Sequence, residues 1–411
     1  MPLDITMIGG GMIAHDQILP SLYHLQRQNL AGKITIAARH SKMLRELAEA
    51  PRFRDHFPGH TFEAQPALND DPHKSYPDMY KRVIERMLKH QLVVVATPET
   101  THNEIIRFAL EHDQHVLAVK PLVMTHKDAV AIEKLAHDRG LFVGVEYHKR
   151  FDRRSLEAKA RFAQGQFGDF RLGEAKLLEP WNYRDSNFQN WFTKENTDPF
   201  TYIGCHYVDL VHFVTGLKPV EVSVRGVEGT FPNGNVAYMW SAARVVFDNG
   251  GILSVINGLG YPDDAAGSND QGIILWFEAN GDRGGGAMIA HDDQFRGVQY
   301  SFAKGTAPKL YNFVNPDYFR LVAWEGEGLK PVGYGYDSVE GLVRAASRVA
   351  AEHDLAKRQA ALREIDARGL IATPANSAYN ELVTEAARLS ITNDGRNVRI
   401  RYGDSAGVEF A

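Results

Sequence analysis

The opening of the chain reads as a buried strand that turns through glycines into a helix. Residues 5–14 spell I-T-M-I-G-G-G-M-I-A, a Gly-x-Gly-x-x-Ala pattern directly after an apolar strand. Gly9 allows the tight turn, Gly11 lets the backbone approach a pyrophosphate, and Ala14 permits close helix–strand packing. A plain glycine turn is the alternative, but the position at the start of the chain favours a dinucleotide site. The residues predicted to line this turn are Gly9, Gly11, Met12 and Ile13.

Size, charge and cysteine content exclude several classes of protein. The 411 residues are enough for two domains, and the net charge of −5 comes without any basic stretch interleaved with aromatic residues. We therefore expect no nucleic acid partner. Cys205 is the only cysteine, which excludes an intrachain disulfide and a zinc cage built from cysteines. The glycines come too early for a signal peptide and no apolar run could span a bilayer, so we expect a cytoplasmic protein without a membrane partner.

The first part of the chain alternates strands and helices. Apolar runs predict strands, and spacings of three and four residues predict helices between them. Thr101 and Glu104 have the spacing of a capping box. This alternation predicts a doubly wound α/β domain with a parallel sheet. The predicted strands are 33–38, 92–96, 115–119 and 141–146, and the predicted helices are 43–48, 79–88 and 127–138.

The pattern changes beyond residue 146. Hairpin turns are predicted at Asp248-Asn249-Gly250-Gly251 and at Asn280-Gly281, so this part should be an α+β domain with a largely antiparallel sheet. A helix is predicted over 203–214, and the tail should add helices and a final strand at 398–402. The predicted strands are 220–224, 243–247, 252–256 and 273–278. The predicted divisions are 1–148 for dinucleotide binding, 149–350 for substrate binding and oligomerisation, and 351–411 as a C-terminal extension.

Ligands of doubly wound sheets bind beyond the carboxyl ends of the strands, so the residues that follow each strand matter most. Thr97, Pro98 and His102 follow one strand and are predicted to contact the cofactor. Lys120 follows the next strand, and its ammonium could hold a substrate hydroxyl beside the cofactor, although a surface lysine is the alternative. His148 and Arg150 follow the last strand and are predicted to bind substrate.

The end of the second strand bears on the choice of cofactor. A site specific for NAD usually places an acidic residue there to bind the ribose 2′-hydroxyl, whereas this chain has Ala38. Arg39, Ser41 and Lys42 are placed to meet a 2′-phosphate instead. The sequence thus favours NADP, although Arg39 stacking on adenine would permit NAD equally.

A histidine opens the predicted helix of the second domain. An imidazole suits a base that takes a hydroxyl proton, which makes His206 a candidate, and Asp209 could orient its ring. A capping or packing role is the alternative. His206 and His212 fall on different helix faces, which argues against a catalytic metal.

Amides, charges and flat rings are dense between residues 181 and 191. Such groups bind sugar hydroxyls and stack on sugar faces, but they also form cores and subunit contacts. The residues predicted to contact substrate in this stretch are Asn182, Tyr183, Asp185 and Trp191.

Taken together, these motifs resemble the Gfo/Idh/MocA oxidoreductases, which act on sugars and cyclitols and combine a Rossmann domain with a C-terminal α/β domain. The resemblance rests on the glycine turn, Ala96-Thr97-Pro98, Val119-Lys120-Pro121, residues 148–152 and Gly204-x-His206-x-x-Asp209. It implies that Lys120 and His206 are catalytic. The family usually has Glu before the lysine and Asp four residues before the histidine, where this chain has Val119 and Tyr202. Tyr202 could replace that Asp as a proton relay or could pack against the cofactor.

The resemblance implies an NAD(P)-dependent dehydrogenase or reductase that acts on a secondary alcohol or ketone of a sugar, glycoside or cyclitol. His206 would be the general acid/base, and Lys120 would polarise the oxygen. An NAD-dependent glycosidase that oxidises, eliminates and reduces again is the alternative, and a nucleotide-binding sensor without activity is a third. The resemblance also implies a homodimer or homotetramer formed through the C-terminal sheet.

Overall fold

A computed structural model describes residues 2–265, 269–279, 287–292, 298–303 and 318–411. The predicted turn at Asn280-Gly281 lies outside these residues. The strands are β1 (Leu3–Ile8), β2 (Ala31–Ala37), β3 (Glu63–Gln65), β4 (Leu92–Val95), β5 (His115–Val119), β6 (Val143–Glu146), β7 (Asp169–Pro180), β8 (Pro219–Thr230), β9 (Val236–Phe247), β10 (Ile252–Tyr261), β11 (Asp270–Glu278), β12 (Ala287–Asp292), β13 (Val298–Ala303), β14 (Arg320–Val322), β15 (Lys330–Val332), β16 (Val398–Arg401) and β17 (Gly407–Phe410).

The helices are α1 (Leu19–Arg27), α2 (Ser41–Glu49), α3 (Pro51–His56), α4 (Met79–Ile84), α5 (His102–Glu111), α6 (His126–Arg139), α7 (Arg153–Ala163), α8 (Tyr183–Ser186), α9 (Cys205–Thr215), α10 (Tyr334–Ala350), α11 (Leu355–Arg368), α12 (Pro374–Ser377) and α13 (Tyr379–Ile391). No helix in the described part of the chain combines the length and the apolarity needed to cross a membrane.

The chain folds into two compact units. The first consists of Met1–Val123, Lys127–His148 and Phe319–Asn376. The second consists of Met124–His126, Lys149–Tyr318 and Ser377–Ala411.

The first unit contains the predicted parallel sheet. Its strand order is β3-β2-β1-β4-β5-β6, and every pair is parallel. β4 reads L-V-V-V with every residue buried, as expected for a strand covered on both faces. The strand order changes direction between β1 and β4, which is where doubly wound sheets form their ligand crevice. The fold predicted for this part of the chain is confirmed.

Two helices from late in the sequence also belong to this unit. α10 buries Val339, Leu342, Val343 and Ala346, whose spacing forms one apolar face, in the same core as Leu117 of β5. The sequence predicts residues up to 350 as part of the second domain and 351–411 as a separate extension. Instead, residues 319–376 lie in the first unit and residues 377–411 in the second. The apolar face of a helix shows in the sequence that the helix packs against other elements, but it does not show against which sheet.

The second unit contains a mixed sheet of the order β13-β12-β11-β7-β10-β9-β8-β16-β17. Only β7 and β10 pair in parallel, so the predicted, largely antiparallel character is confirmed. The turn predicted between β9 and β10 is present, with Gly250 at a φ of +81°. α9 follows a π-helical turn at Phe200–Gly204 and ends at Thr215, before Gly216, which adopts the left-handed conformation.

The capping box predicted at Thr101 is wrong. The Thr101 hydroxyl lies 2.8 Å from both Oγ1 of Thr97 and the carbonyl oxygen of Pro98, and makes no capping bond. Glu104 accepts a hydrogen bond from Tyr80 and pairs with Lys81 instead. The partners of Glu104 are distant in sequence, so the local spacing could not reveal their competition with the capping box.

Candidate active site

The glycine turn stands where β1 ends, beside the end of β4. Gly9 has a φ of +104°, and a Cβ added there would lie 2.2 Å from the carbonyl oxygen of Ala96. A side chain is therefore excluded at Gly9. A Cβ at Gly11 would meet no atom within 4 Å, so the backbone of this residue is open to an approaching group. The predicted residues Met12 and Ile13 follow, and Ala14 is fully buried against the sheet.

The helix after the turn starts irregularly. Ala14–Ile18 form a π-helical turn before the regular helix α1. Turns of this kind inside helices are rare and often occur at functional sites. The exposed backbone at Gly11 and the helix that follows it fit a bound pyrophosphate.

The end of β2 carries two exposed cations and one buried hydroxyl among the residues predicted to meet a 2′-phosphate. Ala38 is buried, whereas Arg39 and Lys42 are exposed. Ser41 is fully buried, and its hydroxyl donates to the carbonyl oxygen of Asp70 at 2.9 Å. Ser41 thus helps to hold the loop around Asp70, and its contact with a 2′-phosphate stays a prediction.

His102 links the loops that follow β4 and β5. Its side chain is fully buried, with Nε2 2.9 Å from the carbonyl oxygen of Thr97 and Nδ1 3.0 Å from that of Pro121. His102 therefore helps to fix these loops, and its direct contact with a cofactor stays a prediction. Thr97 is partly exposed and Pro98 is exposed at the strand end.

Lys120 and His148 follow two adjacent strand ends. In the register of β5 and β6, Val119 pairs with Glu146, so Lys120 and His148 stand one and two residues beyond paired positions. Neighbouring strands lie about 5 Å apart. Lys120 is partly exposed and precedes a cis peptide bond to Pro121. The structure thus places the predicted catalytic lysine and a predicted substrate-binding residue at the same edge of one sheet.

A buried carboxylate next to these residues was missed in the sequence. Glu146 is 2% exposed, and its Oε1 accepts hydrogen bonds of 2.7 Å from both Gln17 and Ser338. Its Oε2 lies 3.0 Å from Nδ1 of His148, whose ring stacks on Tyr334. A glutamate at the end of the otherwise apolar strand V-G-V-E is a signal that could have identified it. Gln17 and Ser338 carry no comparable local signal.

His206 belongs to the second unit and lies in the first turn of α9, where it is 4% exposed. Asp209, which we expected to orient it, makes a bidentate pair with Arg150 at 2.6 and 2.7 Å. The hydroxyl of Tyr379 also donates to Asp209, at 2.7 Å. Burial and the neighbouring carboxylate raise the pKa of Tyr379 well above its usual value, so the hydroxyl keeps the proton that it donates.

Arg150 is also only 2% exposed. Because its guanidinium is buried in a bidentate pair with Asp209, Arg150 helps to hold α9, and its direct contact with substrate stays a prediction. A second contact holds the same helix turn: the side-chain amide of Asn380 donates to the carbonyl oxygen of Cys205 at 3.1 Å. These contacts come from residues far away in sequence, and periodicity does not reveal them.

Tyr202 joins the aromatic stretch that was predicted to contact substrate. Its ring centroid lies 5.3 Å from that of Trp191 and 5.5 Å from that of the fully buried Phe188, on which Tyr183 also packs. Tyr183, Trp191 and Tyr202 thus form one partly exposed aromatic cluster. Packing is therefore part of the role of Tyr202. Asn182 and Asp185 are exposed at α8, beside this cluster in sequence.

No group of three or more His, Cys, Asp or Glu side chains within the described ranges is arranged to hold a metal ion. His212 lies 2.8 Å from the carbonyl oxygen of Leu217 through Nδ1, and burial lowers its pKa.

Two family models match the chain and together cover more than half of it. Residues 3–147 match the model described as an oxidoreductase family with an NAD-binding Rossmann fold. Residues 155–286 match the C-terminal domain of the GFO/IDH/MocA proteins.

Individual relatives include dehydrogenases of sugars and cyclitols. The chain is 24% identical to the D-glucoside 3-dehydrogenase of Escherichia coli over 270 residues, which cover 61% of this chain and 69% of that protein. It is 26% identical to the NADP-dependent scyllo-inositol 2-dehydrogenase of Bacillus subtilis over 137 residues, 33% of this chain and 37% of the relative. Three of the curated relatives are matched over only 28 to 47% of their own lengths.

A solved structure of levoglucosan dehydrogenase in complex with NADH and levoglucosan is similar in fold. The TM-score is 0.66 at 17% identity, and the match covers 98% of this chain and all of that one. At this identity the likeness supports the fold and leaves the substrate open.

Proposed function

The chain belongs to the GFO/IDH/MocA family of oxidoreductases, and we propose that it is an NAD(P)-dependent dehydrogenase or reductase of sugars, glycosides or cyclitols. The observation that carries this proposal is the edge of the parallel sheet. There the open backbone at Gly11 and the side chain of Lys120 follow strands β1 and β5 of one sheet. A dinucleotide and an alcohol would meet at this edge.

The residues of the chain would divide the work as follows. The glycine turn would hold the pyrophosphate, and a bound nicotinamide supplies the hydride acceptor or donor. Lys120 would place its ammonium against the substrate oxygen and stabilise the charge that grows there. His206 would take the hydroxyl proton in oxidation and return it in reduction. Thr97 and Pro98 would contact the cofactor at the end of β4.

Substrate contacts are proposed for His148 and Lys120 in the first unit. In the second unit they are proposed for Asn182, Tyr183, Asp185 and Trp191, which are exposed or partly exposed, and for the buried His206. For the cofactor, we propose NADP or both forms, because Ala38 leaves no carboxylate for the ribose and Arg39 and Lys42 remain exposed.

The proposal is tested by following reduced nicotinamide while the protein turns over methyl glucosides, inositols and levoglucosan. We expect reduced cofactor to accumulate in proportion to the oxidised product. Cleavage of a glycoside with only catalytic amounts of cofactor and no net change in absorbance would establish the glycosidase reaction instead. If the protein binds cofactor but turns over no alcohol or ketone, the remaining alternative is a nucleotide-binding sensor without activity.

A further inference from the structure

His102 is a fully buried side chain whose two ring nitrogens both face carbonyl oxygens of the backbone. Nε2 lies 2.9 Å from the carbonyl oxygen of Thr97, and Nδ1 lies 3.0 Å from that of Pro121. A third carbonyl oxygen, that of Leu122, is 3.1 Å from Nδ1. All three described polar contacts of the ring are therefore with groups that only accept hydrogen bonds.

These contacts determine how many protons the ring carries. Since a carbonyl oxygen cannot donate, each nitrogen of His102 has to donate to its partner. A neutral imidazole has one N–H group and one lone pair, whereas the imidazolium has two N–H groups. In a neutral ring, one nitrogen lone pair would face a carbonyl oxygen in a site without water access. Only the imidazolium satisfies every polar contact of this buried side chain.

The carbonyl oxygens also make the buried charge tolerable. Burying a cation is costly unless polar groups replace the water that it loses, and three carbonyl dipoles surround the ring of His102. Hydrogen bonds from a charged donor are about twice as strong as those between neutral groups. The charged ring is therefore a strong link between the two loops that it contacts.

The two loops carry residues that the proposed function uses. Thr97 follows the end of β4 and is proposed to contact the cofactor, and Pro121 follows Lys120 directly in the loop after β5. A misplacement of about 1 Å in a reacting group can lower the rate about a hundredfold. The bond to the Pro121 carbonyl, one residue away from Lys120, is thus able to control where the ammonium stands.

We propose that His102 is a buried imidazolium whose charge positions Lys120 for hydride transfer by joining the loops after β4 and β5. His102 acts through the backbone of both loops and is a positioning residue, without contact to the substrate. The inference rests on the proposed function and deepens it, because a neutral side chain at this position could hold only one of the two loops at a time.

The first test counts the protons on the ring. Protein labelled with nitrogen-15 at histidine and with carbon-13 at the proline carbonyl is studied near pH 7.5 by magic-angle-spinning NMR. The ring of His102 is identified by its contact with the carbonyl carbon of Pro121. We expect both of its nitrogens to carry a proton. A single N–H group on this ring would overturn the inference, whether or not any variant folds.

The second test separates the two loops with a pair of amide variants. In His102→Asn the amide nitrogen takes the place of Nδ1 and can still donate to Pro121, and in His102→Gln it takes the place of Nε2 and can still donate to Thr97. We expect His102→Gln to lower kcat by about tenfold more than His102→Asn does. His102→Asn should weaken cofactor binding by about fivefold more than His102→Gln does.

His115→Asn is the matched control for these variants. His115 is also a fully buried histidine of the first unit, but it lies at the start of β5, whereas Lys120 follows the end of that strand. The amide oxygen can still accept the 2.9 Å bond from the backbone N–H of Phe142. We therefore expect kcat and cofactor affinity within about twofold of the wild type, since the loops after β4 and β5 are untouched.

The outcomes separate the inference from the proposed function. If the wild type oxidises a sugar but both variants of His102 lose kcat and cofactor affinity in parallel, the ring has only a structural role; the inference is then wrong and the function stands. A wild type that oxidises no alcohol overturns the proposed function and with it the positioning of Lys120, even where the NMR spectrum shows two protons on the ring of His102.

Discussion

Lys120 and His206 are the side chains on which the proposed hydride transfer depends most directly. Lys120→Ala and His206→Ala should each lower kcat by about 10²–10⁴, the usual contribution of a positioned acid or base. Cofactor affinity should stay within about twofold for His206→Ala, whose site lies in the second unit. Steady-state kinetics with the best sugar substrate measure the effect.

Tyr202→Phe is the matched probe of the unusual residue ahead of His206. The substitution keeps the ring contacts with Phe188 and Trp191 and removes only the hydroxyl. A loss of rate with unchanged stability would support a proton relay, whereas full activity would leave Tyr202 as packing. Near wild-type turnover in Lys120→Ala or His206→Ala would refute the role of that residue.

Arg39 is the residue that should decide between the two cofactors. It is exposed directly after β2, and a hydrogen bond to a charged group contributes about 1.5–3 kcal/mol, or roughly ten- to a hundredfold in affinity. Arg39→Ala should therefore weaken NADPH binding by that factor and leave NADH within about threefold. Fluorescence titration of both cofactors measures this. The prediction is wrong if NADH binds the wild type at least tenfold tighter than NADPH.

The turn between β1 and α1 offers a matched pair of glycines at the scale of a single element. Gly9→Ala introduces a Cβ 2.2 Å from the carbonyl oxygen of Ala96 at a φ of +104°, so it should lower the melting temperature markedly. Gly11→Ala meets no atom within 4 Å and should preserve the melting temperature while weakening cofactor binding at least tenfold. Thermal unfolding and cofactor titration separate the two effects. Equal behaviour of the two variants would contradict this account of the turn.

The elements that the sequence predicted best are those whose signal is local. The glycine turn, the apolar run of β4 and the hairpin turn that contains Gly250 each depend on residues within a few positions of one another. Ser41, His102 and Arg150 have structural contacts that the sequence could not reveal, because partners such as Asp70 and Asp209 lie 29 and 59 residues away. The same limit applies to α10: its apolar face is evident in the sequence, but the sheet against which that face packs is not.

For the whole molecule, buried histidines should make stability depend on pH. Burial, with the nearby His90 and Arg358, lowers the pKa of His115 to about 3, from an ordinary value near 6.5. Since unfolding lets this ring take up a proton, its contribution to stability is complete above about pH 6.5 and is lost as the pH falls towards 3. At pH 5 the loss is about 2 kcal/mol. The pKa is lowered by burial in the same direction at His24, His60, His90, His126 and His212.

His115→Asn isolates this contribution, because the amide oxygen can still accept from the backbone N–H of Phe142 but does not titrate. Urea unfolding is measured near pH 7.5 and near pH 5 for both proteins. The free energy of unfolding of the wild type should fall by about 2 kcal/mol more than that of the variant. Parallel pH dependences would show that His115 does not contribute in this way.

Assembly into a dimer or tetramer stays a prediction, and one face of the mixed sheet is the surface expected to mediate it. Leu172, Val227 and Ile256 lie on this face with exposures of 47, 59 and 55%, and Ile256 stands between Lys176 and Ala242 in the register of β7, β10 and β9. Ile256→Asp would place a charge where a self-association interface must be apolar, so the dimer or tetramer should dissociate to monomers. Leu88→Asp is the control, because Leu88 is 75% exposed in the first unit and should leave the mass unchanged. Sedimentation velocity measures the mass of the wild type and of both variants. A monomeric wild type, or an Ile256→Asp variant that still assembles, would show that this face does not mediate assembly.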